Sequence, residues 1–277
     1  MVVLGEFDGF HLGHRHLVHE ALQIAGEAGR PLVGVVLVPT AGPPVLMPPP
    51  RRVWALMSAG VSVATILETD PDDGEGVAEE VCRQLEPASV VVARTPPGQQ
   101  PRYPALRRRL HQRAVPVIEI DRWRDPDGAV VSTARIRQAV LDAEIAAAND
   151  WLGRDFSLSA PVVHGSGLGR TLGFPTANLG LSEDLLVPKR GVYAATVQLP
   201  SGAVHASAVN IGVRPTVETH GALLVEAHLL DFDGDLYDQV ITVSFRRWLR
   251  DERRFTSVDE LTEQLQRDVQ QTRIVIR

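Results

Sequence analysis

The chain has 277 residues, of which 44% are hydrophobic and 22% charged, with a formal net charge of −6. This is ordinary globular composition, enough for one large domain or two moderate ones. A mildly acidic chain has no general attraction to nucleic acid or anionic membranes, so neither is an expected partner. The single cysteine, Cys82, excludes an internal disulfide and is expected to be buried and inert. With no run of 18 apolar residues and no signal pattern, we expect a cytoplasmic protein.

The first half alternates short β-branched runs with segments that have apolar residues at three- and four-residue spacing. The predicted strands are Val2–Leu4, Leu32–Val38, Val61–Leu67, Ser89–Ala93 and Val115–Ile120. The predicted helices are His14–Ala28, Arg51–Ala59, Val77–Leu85 and Tyr103–Arg113, with two more inside Ser132–Trp151. Strands that alternate with helices form βαβ units, so the sequence predicts a Rossmann-like parallel sheet covered on both faces.

After residue 152 the pattern changes to short alternating strands separated by turn residues. These strands are Leu158–Val163, Val192–Leu199, Ala206–Ile211, Leu223–Leu230 and Gln239–Phe245. Such a series predicts an antiparallel barrel or sandwich. Val258–Val269 predicts a final helix, with Ser257 as its cap and Glu260 at the third position. We therefore expect two domains, at residues 1–152 and 153–277.

The segment from Gly165 to Leu179 is rich in glycine and ends in Pro-Thr-Ala-Asn. Gly165, Gly167 and Gly169 suit a loop whose amides come close to an anion, with Arg170 directly after them. The spacing fits neither a Walker A loop nor a dinucleotide-binding fingerprint. A glycine-rich turn into a strand is the alternative interpretation of this segment.

Two polar side chains end the same segment. Thr176 and Asn178 are two residues apart, so on an extended chain they would point to the same side. A hydroxyl and an amide carbonyl are hard oxygens that suit Mg²⁺, whose remaining positions can be filled by nucleotide phosphates. The segment is therefore a candidate site for Mg²⁺ and ATP.

Five blocks of the second half resemble the riboflavin kinase family, in the order that this family has. They are Gly165–Leu179, Pro188–Ala194, Val209–Thr216, Val225–Phe232 and Leu249–Phe255, and the resemblance covers about residues 156–270. It implies a small antiparallel Greek-key β-barrel with a C-terminal helix. It also implies an enzyme that phosphorylates riboflavin to FMN, with ATP as co-substrate and Mg²⁺ as cofactor.

The resemblance also implies roles for single residues. Glu226, in an otherwise apolar strand, is the candidate general base for the ribityl hydroxyl. Thr176 and Asn178 would bind Mg²⁺. The ADP part would be held by Gly165, Gly167, Gly169, Arg170 and Lys189, and the flavin would be covered by Arg250, Glu252 and Phe255.

The block from Gly5 to His14 follows the first predicted strand and opens the first predicted helix. A helix N-terminus is a natural phosphate site, and two imidazoles beside it can donate to charge on an α-phosphate. The block resembles the nucleotidyltransferase superfamily with the His-x-Gly-His signature. Together with the second half, it is similar to bacterial bifunctional riboflavin kinase/FAD synthetases. The residues expected to bind nucleotide are Gly5, Phe7, Asp8, His11, Gly13, His14, Ser132, Arg135 and Arg137.

Two segments depart from that family, at residues 36–43 and 92–98, where it has aromatic and polar residues that hold FMN. A third has Ala134 where threonine is usual. We therefore expect riboflavin phosphorylation, with weak or absent adenylylation of FMN to FAD. A fully bifunctional enzyme is the main alternative. A flavin-binding protein without turnover is the other, and the joint presence of Thr176, Asn178 and Glu226 speaks against it.

Overall fold

The structure is a computed structural model that describes residues 1–70, 73–95, 104–165, 167–213 and 223–276. The chain divides into two compact units, Met1–Arg135 and Ile136–Arg277. The helix at Ile145–Leu152 groups with the second unit because hydrogen bonds of its Asn149 side chain join it to that unit. The Asn149 amide donates to the Phe245 carbonyl at 2.8 Å and accepts from the Phe156 backbone at 2.7 Å.

The first unit is a five-stranded parallel sheet with the order β3-β2-β1-β4-β5, which confirms the predicted Rossmann-like fold. Its strands are β1 (Val2–Gly5), β2 (Val33–Pro39), β3 (Val63–Thr69), β4 (Val90–Ala93) and β5 (Val117–Ile120). Its helices are α1 (Leu12–Glu27), α2 (Pro49–Ser58), α3 (Gly74–Leu85) and α4 (Pro104–Gln112). Helix α5 (Thr133–Leu141) begins where this unit ends.

The two faces of the sheet have separate cores. Val3 and Val36 pack on one face with apolar residues of α1 and α2, and Val2 and Val35 pack on the other with α3 and α4. This alternation follows from the two-residue period of a strand. Cys82 was expected to be buried but is only half-buried, because α3 places it at the border of the second core.

The second unit contains a closed antiparallel barrel with the strand order β10-β7-β6-β11-β8-β9, and it confirms the predicted barrel with a C-terminal helix. The strands are β6 (Phe156–Val163), β7 (Ala177–Leu179), β8 (Gly191–Gln198), β9 (Val204–Val213), β10 (Leu223–Leu229) and β11 (Val240–Arg250). The helices are α6 (Ile145–Leu152), α7 (Leu168–Thr171) and α8 (Val258–Val275), and the Ser257 hydroxyl caps α8 by accepting from Glu260 N at 3.1 Å. β7 and α7 are missing from the prediction because three or four residues are too short to show periodicity.

Strand β10 shows how the barrel separates its core from its surface. Val225, Ala227 and Leu229 are buried, whereas Glu226 and His228 are only half-buried. Alternate residues of a barrel strand face the interior and the exterior, so Glu226 and His228 lie on the outer face. No helix within the described ranges is both long enough and apolar enough to cross a membrane.

Candidate functional site

The barrel places two predicted site residues, Glu226 and Asn178, in one row with a third polar residue, Asn210. Glu226 of β10 is paired with Asn178 of β7 on one side and with Asn210 of β9 on the other. Residues paired across neighbouring strands place their side chains on the same face. Asn210 is a site candidate that the sequence prediction missed. The signal was present, since the chain has three asparagines and two of them stand in this row.

The glycine-rich segment lies against this row. A Cβ at Gly165 would come within 2.3 Å of the Asn178 amide nitrogen. A Cβ at Gly169 would come within 2.4 Å of the Phe174 carbonyl oxygen and 3.5 Å of the Thr176 hydroxyl. The absence of side chains at these two positions therefore lets the start of the segment approach Thr176 and Asn178, the predicted metal ligands at its end.

Asn178 shows that this place fits a cation. The residue is 5% exposed, and its Oδ1 is buried without a hydrogen-bond partner among the described residues. Leaving a buried acceptor unpaired costs about 1–3 kcal/mol, a cost that a bound Mg²⁺ would remove. No cluster of three His, Cys, Asp or Glu side chains in the described ranges forms an alternative metal site. Thr176 and Asn178 therefore fit the hard-oxygen ligand set that the sequence predicts.

A cavity of about 290 Å³ opens beside the segment, and Arg170 and Thr176 both line it. Its other walls come from β6, β7, the end of β10 and the loop after it, including Phe232 and Tyr237. Gly167 is exposed at the start of α7 with φ of 74°, a left-handed conformation that favours glycine. The volume and mixed lining suit part of a nucleotide.

The residues expected at the flavin are only partly free to contact a ligand. The Arg250 guanidinium is held by Asp268 of α8, with Nη2 at 2.7 Å from Oδ2 and Nε at 3.0 Å from Oδ1. Phe255 lies beneath it, with the guanidinium 6.0 Å from the ring centroid. Arg250 thus fixes α8 to the barrel. Glu252 is exposed, and its carboxylate lies against Gly212 of β9.

Lys189 stands apart from the glycine-rich segment in the contacts that it makes. Its ammonium group is 3.2 Å from the Asp251 carboxylate and 5.4 Å from the centroid of the Trp248 ring. The buried Nε1 of Trp248 has no hydrogen-bond partner in the described part of the chain. The structure therefore places Lys189 beside the segment that contains Arg250 and Glu252.

The first unit has a cavity of about 420 Å³ at the carboxyl ends of β1 and β4. These strands are neighbours from which the chain leaves toward opposite sides of the sheet, the usual ligand position in open parallel sheets. Five of the residues predicted to bind nucleotide line the cavity: Gly5, His11, Gly13, His14 and Ser132. A Cβ at Gly13 would lie 3.0 Å from the His11 ring, so glycine lets that ring lie against α1.

His11 and His14 form a stacked pair, with ring centroids 3.7 Å apart. Burial, with a smaller contribution from the Arg122 cation, lowers the pKa of His11 to about 3. Burial and then the neighbouring His11, Arg52 and Arg122 hold the pKa of His14 well below its ordinary value. Both rings are therefore neutral at pH 7, and each has a buried Nδ1 without a partner in the described structure. A neutral imidazole can still donate one hydrogen bond to a phosphate.

Phe7 and Asp8, which were also predicted to bind nucleotide, do not line the cavity as described. Phe7 is fully buried in the core and contacts the His14 ring edge-on at 5.4 Å. The Asp8 carboxylate accepts from the Leu46 and Met47 backbone at 3.2 and 2.9 Å, and is 3.1 Å from the buried Arg52. Their positions indicate that these two residues hold the turn after β1.

Of the three predicted residues at 132–137, only one lines the cavity. Ser132 lines the cavity, and its hydroxyl accepts from the Arg135 backbone at 3.3 Å. The Arg135 guanidinium is 2.6 Å from the Asp125 carboxylate. Arg137 is half-buried on α5, in the part of the chain that groups with the second unit. Neither arginine belongs to the lining of the cavity as described.

Three charged side chains that the sequence did not predict also line this cavity. They are Arg107, Asp121 and Arg122, and Arg107 pairs with Glu119. Arg94, outside the lining, pairs with one of them: its Nη1 is 2.7 Å from the Asp121 carboxylate. The two segments that differ from the family also reach the cavity. Residues 36–43 contribute Leu37 to the lining, and residues 92–98 contribute Val92, Ala93 and Thr95. Residues 96–98 lie outside the described residues.

Comparison with known proteins assigns both halves. Residues 152–276 match the family described as riboflavin kinase, and residues 1–72 match the family described as FAD synthetase. A protein of Pseudomonas fluorescens named bifunctional riboflavin kinase/FMN adenylyltransferase is 32% identical over 97% of this chain and 90% of its own length. This chain belongs to that family. The resemblance inferred from the motifs is therefore confirmed.

Three further similarities cover different shares of the chain. The protein of the same name from Haemophilus influenzae is 30% identical over 97% of this chain and 92% of its own length. That of Escherichia coli K12 is 45% identical over 141 residues, which are 51% of this chain and 44% of the relative. The crystal structure of a macrolide-efflux protein from Streptococcus pneumoniae covers 98% of this chain and 93% of its own, with TM-score 0.83 and 27% identity.

Proposed function

We propose that the barrel unit transfers the γ-phosphoryl group of ATP to riboflavin, with Mg²⁺ as cofactor, and so forms FMN. The observation that carries the proposal is the row of Asn178, Glu226 and Asn210 on the outer face of the barrel. The glycine-rich segment lies against one end of this row, where the Asn178 oxygen is left for a cation. This arrangement suits phosphoryl transfer, which depends mainly on positioning and charge neutralisation.

Each polar residue has a task in this proposal. Glu226 accepts the proton of the ribityl 5′-hydroxyl. The hydroxyl oxygen bonds to the γ-phosphorus while the bond between the γ-phosphorus and the ADP oxygen breaks. Thr176 and Asn178 hold Mg²⁺, which supplies charge neutralisation at the phosphates when it is bound. Arg170 extends from the segment into the 290 Å³ cavity, where the nucleotide would lie.

The test is incubation of the full chain with riboflavin, ATP and Mg²⁺, followed by chromatographic separation of riboflavin, FMN and FAD. We expect FMN, and we expect Asn178→Ala and Thr176→Val to weaken Mg²⁺-dependent ATP binding as well as turnover. Asn149→Ala is no suitable control, because Asn149 ties α6 to the barrel. The exposed Ser201→Ala is the matched control, at a turn between β8 and β9. A full-length chain that makes no FMN refutes the proposal.

The first unit has a second candidate activity, the adenylylation of FMN to FAD. The stacked neutral histidines at the 420 Å³ cavity favour it, since they can donate to an α-phosphate. The two departing segments disfavour it, because they contribute Leu37, Val92, Ala93 and Thr95 to the cavity where aromatic and polar residues are expected to hold FMN; Trp123 is an aromatic side chain elsewhere in the lining. We therefore propose that this unit binds ATP and that it makes FAD weakly or not at all. The same chromatographic separation measures both products.

A further inference from the structure

The position of Thr176 depends on the chain just before β7. Pairing with β10 fixes the backbone only from Ala177, which lies opposite Ala227. The Phe174 amide donates to Gly169 O at 2.8 Å, a bond within the loop itself. Pro175 cannot donate a backbone hydrogen bond, so its carbonyl is the group by which this end of the loop can be tied to the barrel strands. What holds that carbonyl therefore also sets where the Thr176 hydroxyl lies.

His228 of β10 holds it. The Nδ1 atom of His228 is 2.8 Å from the Pro175 carbonyl oxygen. Because a carbonyl oxygen only accepts, Nδ1 must carry the proton. The ring also contacts Phe174 edge-on, with centroids 5.5 Å apart. Two successive residues before Thr176 are thus tied to one imidazole.

The backbone of His228 is held by a side chain of the neighbouring strand. The His228 carbonyl accepts a hydrogen bond from the Ser207 hydroxyl of β9 at 2.9 Å, and Ser207 is fully buried. On the same strand, Glu226 lies two residues earlier and on the same outer face. Strand β10 therefore carries both the candidate base, Glu226, and the imidazole that holds the chain next to Thr176.

We propose that His228 is a positioning residue for phosphoryl transfer: its Nδ1–H bond to Pro175 sets the place of the Thr176 hydroxyl at the nucleotide cavity. Pro175 and Thr176 both line that cavity, so a shift of this carbonyl changes its wall. The inference rests on the proposed kinase function. It requires that loss of the bond weaken the binding of Mg²⁺ and nucleotide and leave the binding of riboflavin unchanged.

Three variants of the full chain separate the bond from the bulk of the ring. In His228→Asn the amide nitrogen can occupy the place of Nδ1 and donate to Pro175. In His228→Gln it lies one carbon further out, near the place of Nε2. His228→Leu keeps apolar volume against Phe174 and has no donor.

Calorimetric titration with Mg²⁺ and ADP is the first measurement, and riboflavin binding by fluorescence quenching is the second. We expect His228→Leu and His228→Gln to raise the Kd for Mg·ADP by about tenfold, the scale of one lost hydrogen bond. His228→Asn should stay within about threefold of the unchanged chain, and riboflavin affinity within about twofold in all variants. The KM for ATP should follow the Kd, whereas kcat at saturating Mg·ATP changes less.

The result that overturns the inference is an unchanged Mg·ADP affinity in His228→Leu, or the same loss in His228→Asn as in His228→Leu. An equal loss of riboflavin affinity overturns it too, because that is general damage to the barrel. Thermal unfolding reports whether His228→Leu folds. If it does not, equal Mg·ADP affinities of His228→Asn and His228→Gln refute the inference. Absence of FMN from the unchanged chain refutes the proposed function, and the calorimetric comparison still decides the role of His228.

Discussion

The two units both place glycines beside polar side chains, but they leave opposite kinds of polar atom for a ligand. In the barrel, the buried Asn178 Oδ1 is an acceptor without a partner in the described structure, which suits a cation. In the parallel sheet, the buried imidazoles of His11 and His14 are neutral and lie at a helix N-terminus, which suits a phosphate. In the proposed functions, the barrel therefore holds a metal–nucleotide complex through its cation, whereas the sheet holds the phosphates directly.

The largest expected effect tests the barrel. Glu226→Gln should lower kcat for FMN formation by roughly 10²–10⁴, because the amide cannot take the hydroxyl proton and keeps the shape of the side chain. The measurement is steady-state FMN production at saturating ATP and riboflavin. Glu263→Gln on the exposed side of α8 is the matched control and should leave kcat unchanged. An undiminished kcat in Glu226→Gln would mean that Glu226 is structural.

The next effect tests what holds the turn of the first unit. Arg52→Met removes one partner of a buried ion pair whose side chains are 2% and 4% exposed. We expect the free energy of unfolding to fall by about 3–5 kcal/mol, because the Asp8 carboxylate is left buried without its cation. Urea unfolding of the full chain measures this.

The exposed pair of Arg83 and Glu80 provides the control for that measurement. The Arg83 side chain is 69% exposed, so water screens the pair and Arg83→Met should leave the free energy of unfolding almost unchanged. Equal costs for the two variants would show that the turn after β1 does not depend on its buried ion pair.

Sequence patterns predicted both folds, since hydrophobic periodicity and turn residues extend over many positions and average out local exceptions. The spacing of Thr176 and Asn178 grouped those two residues, and only the family resemblance added Glu226, which the barrel pairs with Asn178. Sequence patterns could not show the partners of Asp8 or Arg250. Those partners, Arg52 and Asp268, are distant in sequence or on another element, and a motif does not record which face its side chain takes.

The third prediction compares the two activities in one assay. We expect FAD to form about 10²-fold more slowly than FMN, because a displacement of about 1 Å between reacting groups costs this much. Residues 36–43 and 92–98, which depart from the aromatic and polar residues expected to hold FMN, are the reason why we expect this displacement. FAD that forms as fast as FMN, and disappears in His14→Ala, would show that the cavity accommodates the flavin.

The last prediction concerns the pH dependence of stability in the first unit. Burial lowers the pKa of His11 to about 3 in the folded chain, whereas an unfolded histidine has a pKa of about 6.5. Between these values the unfolded state binds a proton that the folded state does not, so the free energy of unfolding falls as the pH falls from 6.5 toward 3. His14, whose pKa is lowered in the same direction, adds to this loss.

Replacing both rings by asparagine removes these two protons from the difference in proton binding between the unfolded and the folded state. The double variant His11→Asn, His14→Asn should therefore lose less stability between pH 6.5 and 5 than the unchanged chain, by about 1 kcal/mol per pH unit for each proton. Urea unfolding at several pH values gives the two slopes, and between pH 7.5 and 9 they should be equal because the histidines are neutral in both states. Parallel slopes below pH 6.5 would mean that the rings take up protons in the folded chain, and the sheet would then bind phosphate through imidazolium cations instead of neutral donors.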